Sequence, residues 1–252
     1  MTKTANALIL FDLVSTITDA GPRYAEAYAR MAEQYGLGFP DHDAIMQDLG
    51  NKNLKEIIAS HSPGLEASRM QAFMNDCNNA CDTLLYDIHW IERLFDHVRE
   101  TLTTLRGQGH TIGLFTGTRE DAMQSQLRYH NILQYFDPVL LRGKDNERDA
   151  STPTQALKIA QMKSMIAVHR ERENAAGPVI VVGDSISDYH AARECSAIFV
   201  GFSESWSKAL DMKEAGIGTT FSDYRDLSGI ISTLTLAYAP DNSLRNGFRP
   251  TA

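Results

Sequence analysis

Cysteine, positive charge and long apolar runs are all scarce in this chain, and each shortage removes a class of protein. Three cysteines in 252 residues cannot build a disulfide framework. Cys77 and Cys81 stand four apart in an expected helix, but no second Cys/His pair accompanies them to complete a zinc site. They and Cys195 are expected to be packing residues. No apolar run reaches the ~20 residues of a membrane span, and Met1-Thr2-Lys3-Thr4-Ala5-Asn6 is too short for an export signal. The expectation is a soluble, cytoplasmic protein that meets no membrane. Lysine and arginine total 24 against 32 acidic residues, and the net charge of −8 is spread along the chain, which argues against a general nucleic-acid surface. Gly216-Ile217-Gly218 lacks the third glycine of a dinucleotide loop, and Gly183-Asp184-Ser185-Ile186-Ser187 lacks the closing glycine of a serine-hydrolase elbow.

What is present is an alternation of strand-like and helix-like segments, interrupted once. An apolar run at 7–11 predicts a first strand, after which residues 21–86 contain no convincing strand. Gly21-Pro22 opens a predicted helix that runs to Gln34 and is ended by Gly36 and Gly38; further helices are predicted over 41–48, 52–60 and 66–85. From 92 onward helices are predicted at 92–106, 119–130, 153–168, 188–195, 206–215 and 224–236, with strands at 111–115, 139–141, 179–182, 197–200 and 219–221 between them. Near-continuous apolar strands alternating with helices predict an α/β fold, a doubly wound parallel sheet carrying an inserted all-helical cap. The expected division is a core of 1–18 and 90–240, a cap of 19–89 hinged at 15–20 and 86–91, and a mobile tail over 241–252.

The chemistry gathers at the ends of two of these strands. Asp12 ends the first, and Asp184 ends the strand 179–182 with Asp188 four residues further on. Parallel strands in an open sheet bring such carboxylates to the crevice where α/β folds bind ligands. Clustered carboxylates repel unless a cation neutralises them, and hard oxygen donors suit Mg²⁺. Thr116-Gly117 follows the strand 111–115, offering a hydroxyl and a backbone that a ligand can approach closely. An aspartate nucleophile, a hydroxyl, a cation site and a lysine are the parts that phosphoryl transfer to a carboxylate requires.

These segments, in this order and with a helical insert after the first, resemble the haloacid dehalogenase-like hydrolases, most of all the branch of phosphoglycolate phosphatases and phosphonoacetaldehyde hydrolases with a helical first cap. The resemblance covers residues 7–236, and its strongest part is Val182-Gly183-Asp184-Ser185-Ile186-Ser187-Asp188 with the helix behind it. It implies that Asp12 forms an aspartyl-phosphate, that Thr116 binds the phosphoryl group, that Asp184 ligates Mg²⁺ with Asp12 and the backbone carbonyl of Val14, and that Asp188 supports the metal or the family lysine. The implied substrate is a small phosphorylated metabolite.

The pattern breaks at position 14, where the family's phosphatases carry a second aspartate as general acid and base and this chain carries Val14. Losing that group costs about 10²–10⁴-fold, and least for leaving groups that need no protonation. Two alternatives follow. A phosphonoacetaldehyde hydrolase-like enzyme cleaving a carbon–phosphorus bond needs a cap lysine, for which Lys52 in Gly50-Asn51-Lys52-Asn53 is the candidate although it stands one residue out of register. A non-catalytic phospholigand-binding protein needs only the retained site. Dehalogenation, which needs no metal, fits the turn at 183–188 poorly. For the family lysine three positions compete: Lys158 on the predicted helix, preferred, then Lys144, or Thr152 if Thr152-Pro153 matches the common Lys-Pro form. Arg23, Tyr24 and Arg119 are possible substrate contacts outside this candidate site, more often surface or packing residues. The sequence leaves oligomeric state open.

Overall fold

The computed structural model describes residues 6–38, 44–45, 48, 54–87, 92–145, 149, 152–173 and 177–238. Strand β1 (Leu8–Asp12) lies in a six-stranded sheet with β4 (Thr111–Arg119), β5 (Leu141–Lys144), β6 (Val179–Gly183), β7 (Ile198–Phe202) and β8 (Thr220–Phe221). The order is β5-β4-β1-β6-β7-β8, and every pairing is parallel. The chain runs outward from β1 through β4 to β5, then returns to lay β6 on the other side of β1. That reversal makes a topological switch point at β1.

Side-chain alternation along the strands explains why both faces are covered. Ile9, Phe11, Ile112, Leu114, Ile180 and Val182 point to one side and pack with Leu102, Leu127 and Leu227 from helices α4 (Val98–Gly107), α5 (Glu120–Tyr129) and α9 (Tyr224–Tyr238). Leu8, Leu10 and Val181 point to the other, against Met162 and Met165 of α6 (Thr154–Glu173), Ala191 and Ala192 of α7 (Ile186–Glu194), and Met212 of α8 (Trp206–Glu214). This is the doubly wound α/β sheet that the sequence predicts.

The helical segment after β1 has a core of its own. Helix α1 (Gly21–Gln34) takes Pro22 in its first turn and closes with Gly36 at φ +70°, where the Leu37 amide returns to the Ala32 carbonyl at 2.9 Å. Its Tyr28 and Met31 pack with Ile57 and Ile58 of α2 (Leu54–His61) and with Phe73 and Cys77 of α3 (Met70–Asp87). Phe73 meets Tyr28 and Tyr35 edge-on, with centroids 5.5 and 5.0 Å apart. Cys77 and Cys81 are both buried, and burial pushes each thiol up to about 12, as suits packing residues. Of the helix predicted over 41–48 only Ala44, Ile45 and Asp48 are described, all helical; the predicted tail lies outside the described residues.

Three local predictions are corrected. The helix predicted from 92 begins at Val98, because Arg93–Leu94 (β3) pairs antiparallel with Thr18–Asp19 (β2) and His97 turns through φ +64°. The strand predicted at 139–141 is a 3₁₀ turn over Pro138–Leu140, in which the Asp137 side chain accepts the Val139 amide, and the strand follows at Leu141–Lys144. The helix predicted to end at 168 continues to Glu173.

The β2–β3 ribbon ties the exit from β1 to the chain's return at α4. Beside it Arg23 Nε lies 2.9 Å from Glu92 Oε2, with both side chains almost wholly buried, and Thr18 Oγ1 donates to Glu92 Oε1. Removing one partner of a buried pair strands the other charge, which costs about 3–5 kcal/mol. Glu92→Ala is therefore expected to lower unfolding free energy by about that amount in urea titrations, whereas a loss under ~1 kcal/mol contradicts the ion pair's burial.

Candidate active site

Strand register fixes the site before any side chain is considered. Asp12 pairs with Phe115 across β1–β4, and Phe11 pairs with Val182 across β1–β6. Asp12, Thr116 and Asp184 therefore emerge at one level from three adjacent strands. Their loops are shaped to keep them there. After Asp12 the chain curls back on itself: the Ile17 and Thr18 amides both donate to the Leu13 carbonyl, at 2.9 and 3.0 Å, and Ser15 sits at φ +59°. After β6, Ser185 caps α7 in a reciprocal box with Asp188. Gly183 is required there, since a Cβ would come within 2.7 Å of the Asp188 Cβ.

Asp12, Val14, Thr116, Gly117, Lys158 and Asp184 line one cavity of about 320 Å³, together with Arg23, Tyr24 and Asp82 from the helical segment. Lys158 Nζ donates to Asp188 Oδ1 at 2.7 Å and lies 3.3 Å from Asp12 Oδ1. Asp188 is fully buried and both its oxygens are engaged, Oδ1 by Lys158 and Oδ2 by the Ser185 amide at 3.2 Å and hydroxyl at 2.7 Å. Asp12, by contrast, is buried with an Oδ1 that has an ion pair but no hydrogen bond. Thr116 Oγ1 accepts the Thr118 amide at 3.1 Å, which leaves its own proton to donate. Gly117 is exposed, and a Cβ there would meet no protein atom nearer than Thr154 Cγ2 at 3.6 Å, so the backbone is open toward the cavity.

Burial pushes the Asp12 carboxyl well above the usual carboxylate range, and Asp188 and Asp184 add to the shift while Lys158 opposes it. Burial alone would lower the Lys158 ammonium, but the Asp12 and Asp188 carboxylates outweigh it and hold its pKa above the ordinary value. Asp12, Asp184 and Asp188 each offer an oxygen, and the three atoms lie within 4.8 Å of one another. A crowded, all-oxygen, partly unbonded acidic cluster fits a hard divalent cation.

The structure separates the competing lysines. Lys144 opens onto a different depression with Arg119, Glu120 and Arg142, and Thr152 donates its amide to Asp149 without lining the cavity. Lys52 lies outside the described residues. Arg23 and Tyr24, set aside on sequence grounds as more often surface or packing residues, face the cavity, and burial pushes the Tyr24 phenol up to about 12. Three further residues carry no sequence signal. Lys208 donates to Asp184 Oδ2; Thr16 donates to Asp184 Oδ1 at 3.3 Å and receives the Tyr224 hydroxyl on its carbonyl; Gln161 donates to the Thr116 carbonyl at 3.0 Å. Each bridges segments distant in the chain, so no local spacing marks it.

The chain belongs to the haloacid dehalogenase-like hydrolase family, whose model matches residues 9–202. It is 23% identical over 230 residues to the phosphoglycolate phosphatase of Nitrosococcus oceani, covering 89% of this chain and 96% of that protein. The phosphoglycolate phosphatase of Colwellia psychrerythraea is 26% identical over 87% of this chain and 94% of its own length. The match to the Escherichia coli phosphoglycolate phosphatase spans 56% of that protein. A predicted phosphoglycolate phosphatase from Haemophilus somnus shares the fold with a TM-score of 0.62 at 20% identity, over 92% of this chain and 99% of that one. The chain is thus a hydrolase of the family expected from its motifs, in a family that generally uses a divalent metal. Among the described residues no helix is long and apolar enough to cross a membrane.

The raised Asp12 pKa has a consequence for stability. The folded carboxyl binds its proton more tightly than the unfolded one, so ionised Asp12 opposes folding. The penalty is absent below the unfolded value of 3.8 and grows as pH rises through the higher folded value. In chelator at pH 7, Asp12→Asn is expected to melt a few °C above wild type, on the scale of about 2–4 °C per kcal/mol, with the gain shrinking toward pH 4. A lower midpoint at pH 7 contradicts this.

Proposed function

We propose that this hydrolase is a Mg²⁺-dependent phosphatase that cleaves a small phosphorylated metabolite through an aspartyl-phosphate on Asp12. The observation that carries the reading is the state of Asp12 itself. It is a carboxylate at the end of the central strand, on the floor of a cavity, with a buried Oδ1 that is ion-paired to Lys158 at 3.3 Å but accepts no hydrogen bond. The relatives named phosphoglycolate phosphatase support a small phosphorylated molecule as the substrate class.

In the first step an Asp12 oxygen attacks phosphorus, and the leaving oxygen departs with the bonding electron pair. The Thr116 hydroxyl and the open backbone at Gly117 hold phosphoryl oxygens, while Lys158 offsets the negative charge that attacker and substrate share. Asp188, its oxygens committed to Lys158 and Ser185, serves as the residue that positions that lysine. Asp12, Asp184 and the Val14 carbonyl would hold Mg²⁺, which supplies the positive charge that lets a carboxylate approach a phosphate. In the second step water attacks phosphorus, phosphate leaves and Asp12 is restored.

Val14 cannot hand a proton to the leaving group or take one from the water. Tyr24, whose phenol stays protonated to about 12, is no base at neutral pH. Among the described lining residues the proton traffic is left to Asp82 and to solvent, and without an acid at position 14 activity is expected to favour leaving groups that depart as stable anions, such as acyl or phenolic phosphates. The carbon–phosphorus alternative gains no support from the described residues, where the lysine lining the cavity, Lys158, is held charged between two carboxylates and is unsuited to imine formation.

Phosphate release from acetyl phosphate, p-nitrophenyl phosphate and phosphoglycolate tests the reading. Wild type is expected to turn over the first two with Mg²⁺ and to stop in chelator, and Asp12→Asn is expected to be inactive. Val14→Asp should raise alkyl phosphate hydrolysis by about 10²-fold or more. Turnover that survives Asp12→Asn contradicts the mechanism.

A further inference from the structure

Lys208 is the cation of this cluster that phosphoryl transfer does not require. It stands in the first turn of α8, the helix after β7, far in sequence from the lysine of α6, and the local structure holds it in place. The Ser203 amide donates to the Phe221 carbonyl at 3.0 Å, the Ser203 hydroxyl donates to the Ser205 carbonyl at 2.9 Å, and the Ser205 hydroxyl accepts the Lys208 amide at 3.5 Å to cap α8. A lysine in the first turn of a helix throws its side chain back toward the N-terminus, here over the end of β6, where Nζ donates to Asp184 Oδ2.

Asp184 consequently differs from Asp12. Both its oxygens are engaged by the chain, Oδ2 by Lys208 and Oδ1 by Thr16. The two lysines of the cluster also differ from each other. The Lys158 side chain is 9% exposed and locked between two buried carboxylates, while the Lys208 side chain is 35% exposed. Lys208 can leave Asp184 for solvent at small cost; Lys158 cannot leave Asp12 and Asp188 without stranding both.

We propose that Lys208 is a built-in competitor for the cation at Asp184, a side-chain ammonium that must yield to a divalent metal and so sets how tightly this chain binds one. The proposal rests on the reading of Asp12 and Asp184 as metal ligands. A carboxylate of unit charge attracts an ammonium and a divalent ion alike, but the two cations repel each other at contact distance. Metal entry is thereby coupled to departure of the lysine, and the cluster, with two lysines against three carboxylates, carries less net negative charge than its aspartates suggest. Val14 deepens the effect by withholding the charge that a second aspartate would supply.

Titration of the full chain with Mn²⁺, read from the loss of the free-ion paramagnetic resonance signal, tests this without any assay of activity. Lys208→Met is expected to bind Mn²⁺ on the order of tenfold more tightly than wild type, Lys208→Arg to stay near wild type because its charge is kept, and Asp184→Asn to lose the site. A lysine that merely orients Asp184 predicts the opposite sign, so equal or weaker binding by Lys208→Met overturns the proposal. Should Lys208→Met not fold, Lys208→Gln, which removes the charge but keeps a polar end for solvent, carries the same expectation. If wild type, Lys208→Met and Asp184→Asn all fail to bind Mn²⁺, the metal reading falls and takes the proposal with it. That result is distinct from a site that binds but does not respond to Lys208.

Discussion

Three carboxylates brought to within 4.8 Å at the end of a buried sheet would push one another apart, and the Lys158 ammonium between Asp12 and Asp188, with Lys208 on Asp184, lets them stay. Much else in the site follows from that contact. Lys158 reaches the carboxylates because α6 packs against the sheet through Met162 and Met165, one and two turns further along the same helix. Asp188 can accept it because the capping box of α7 holds the carboxylate from behind, and that box needs Gly183 to clear the Asp188 Cβ. Compensation is incomplete: Asp12 remains a buried, under-bonded acid, which is costly for the fold and useful for a nucleophile.

The cavity above this floor is lined in part by the helical segment, whose connection to the core is firmly built. The β2–β3 ribbon joins the two linkers, and the buried Arg23–Glu92 pair binds the first turn of α1 to the second linker. Arg23 also donates to the Cys81 carbonyl of α3 at 3.1 Å, so one guanidinium joins two helices and a linker at the cavity wall. Substrate selection by Arg23, Tyr24 and Asp82 would then depend on where this junction sets them.

The sequence made the sheet legible because β1 and β6 are apolar runs, the first ending in Asp12 and the second followed by Asp184, and such runs are what a strand buried on both faces requires. The β2–β3 ribbon was not legible: two residues in each strand pair across more than seventy positions of chain and have no periodicity to show. β5 was displaced by two residues because Asp137-Pro138 favours a capped turn over the apolar run that follows it. At the site, Asp12, Thr116 and Asp184 could be found from strand ends alone. Choosing Lys158 over Lys144 and Thr152 depended on helix phase, which spacing leaves ambiguous and packing resolves. Lys208, Thr16 and Tyr224 act across loops joined only in three dimensions.

Val14 gives the account its sharpest consequence. On the proposed mechanism, a site with Asp12 as nucleophile and no acid or base at position 14 should form the covalent adduct more readily than it breaks it. The most direct measurement is mass spectrometry of the protein quenched in acid during turnover of acetyl phosphate with Mg²⁺. Phosphate is expected on the peptide carrying Asp12, accumulating in wild type and clearing faster in Val14→Asp. Steady turnover with no phosphorylated Asp12, or with phosphate on another residue, would contradict it.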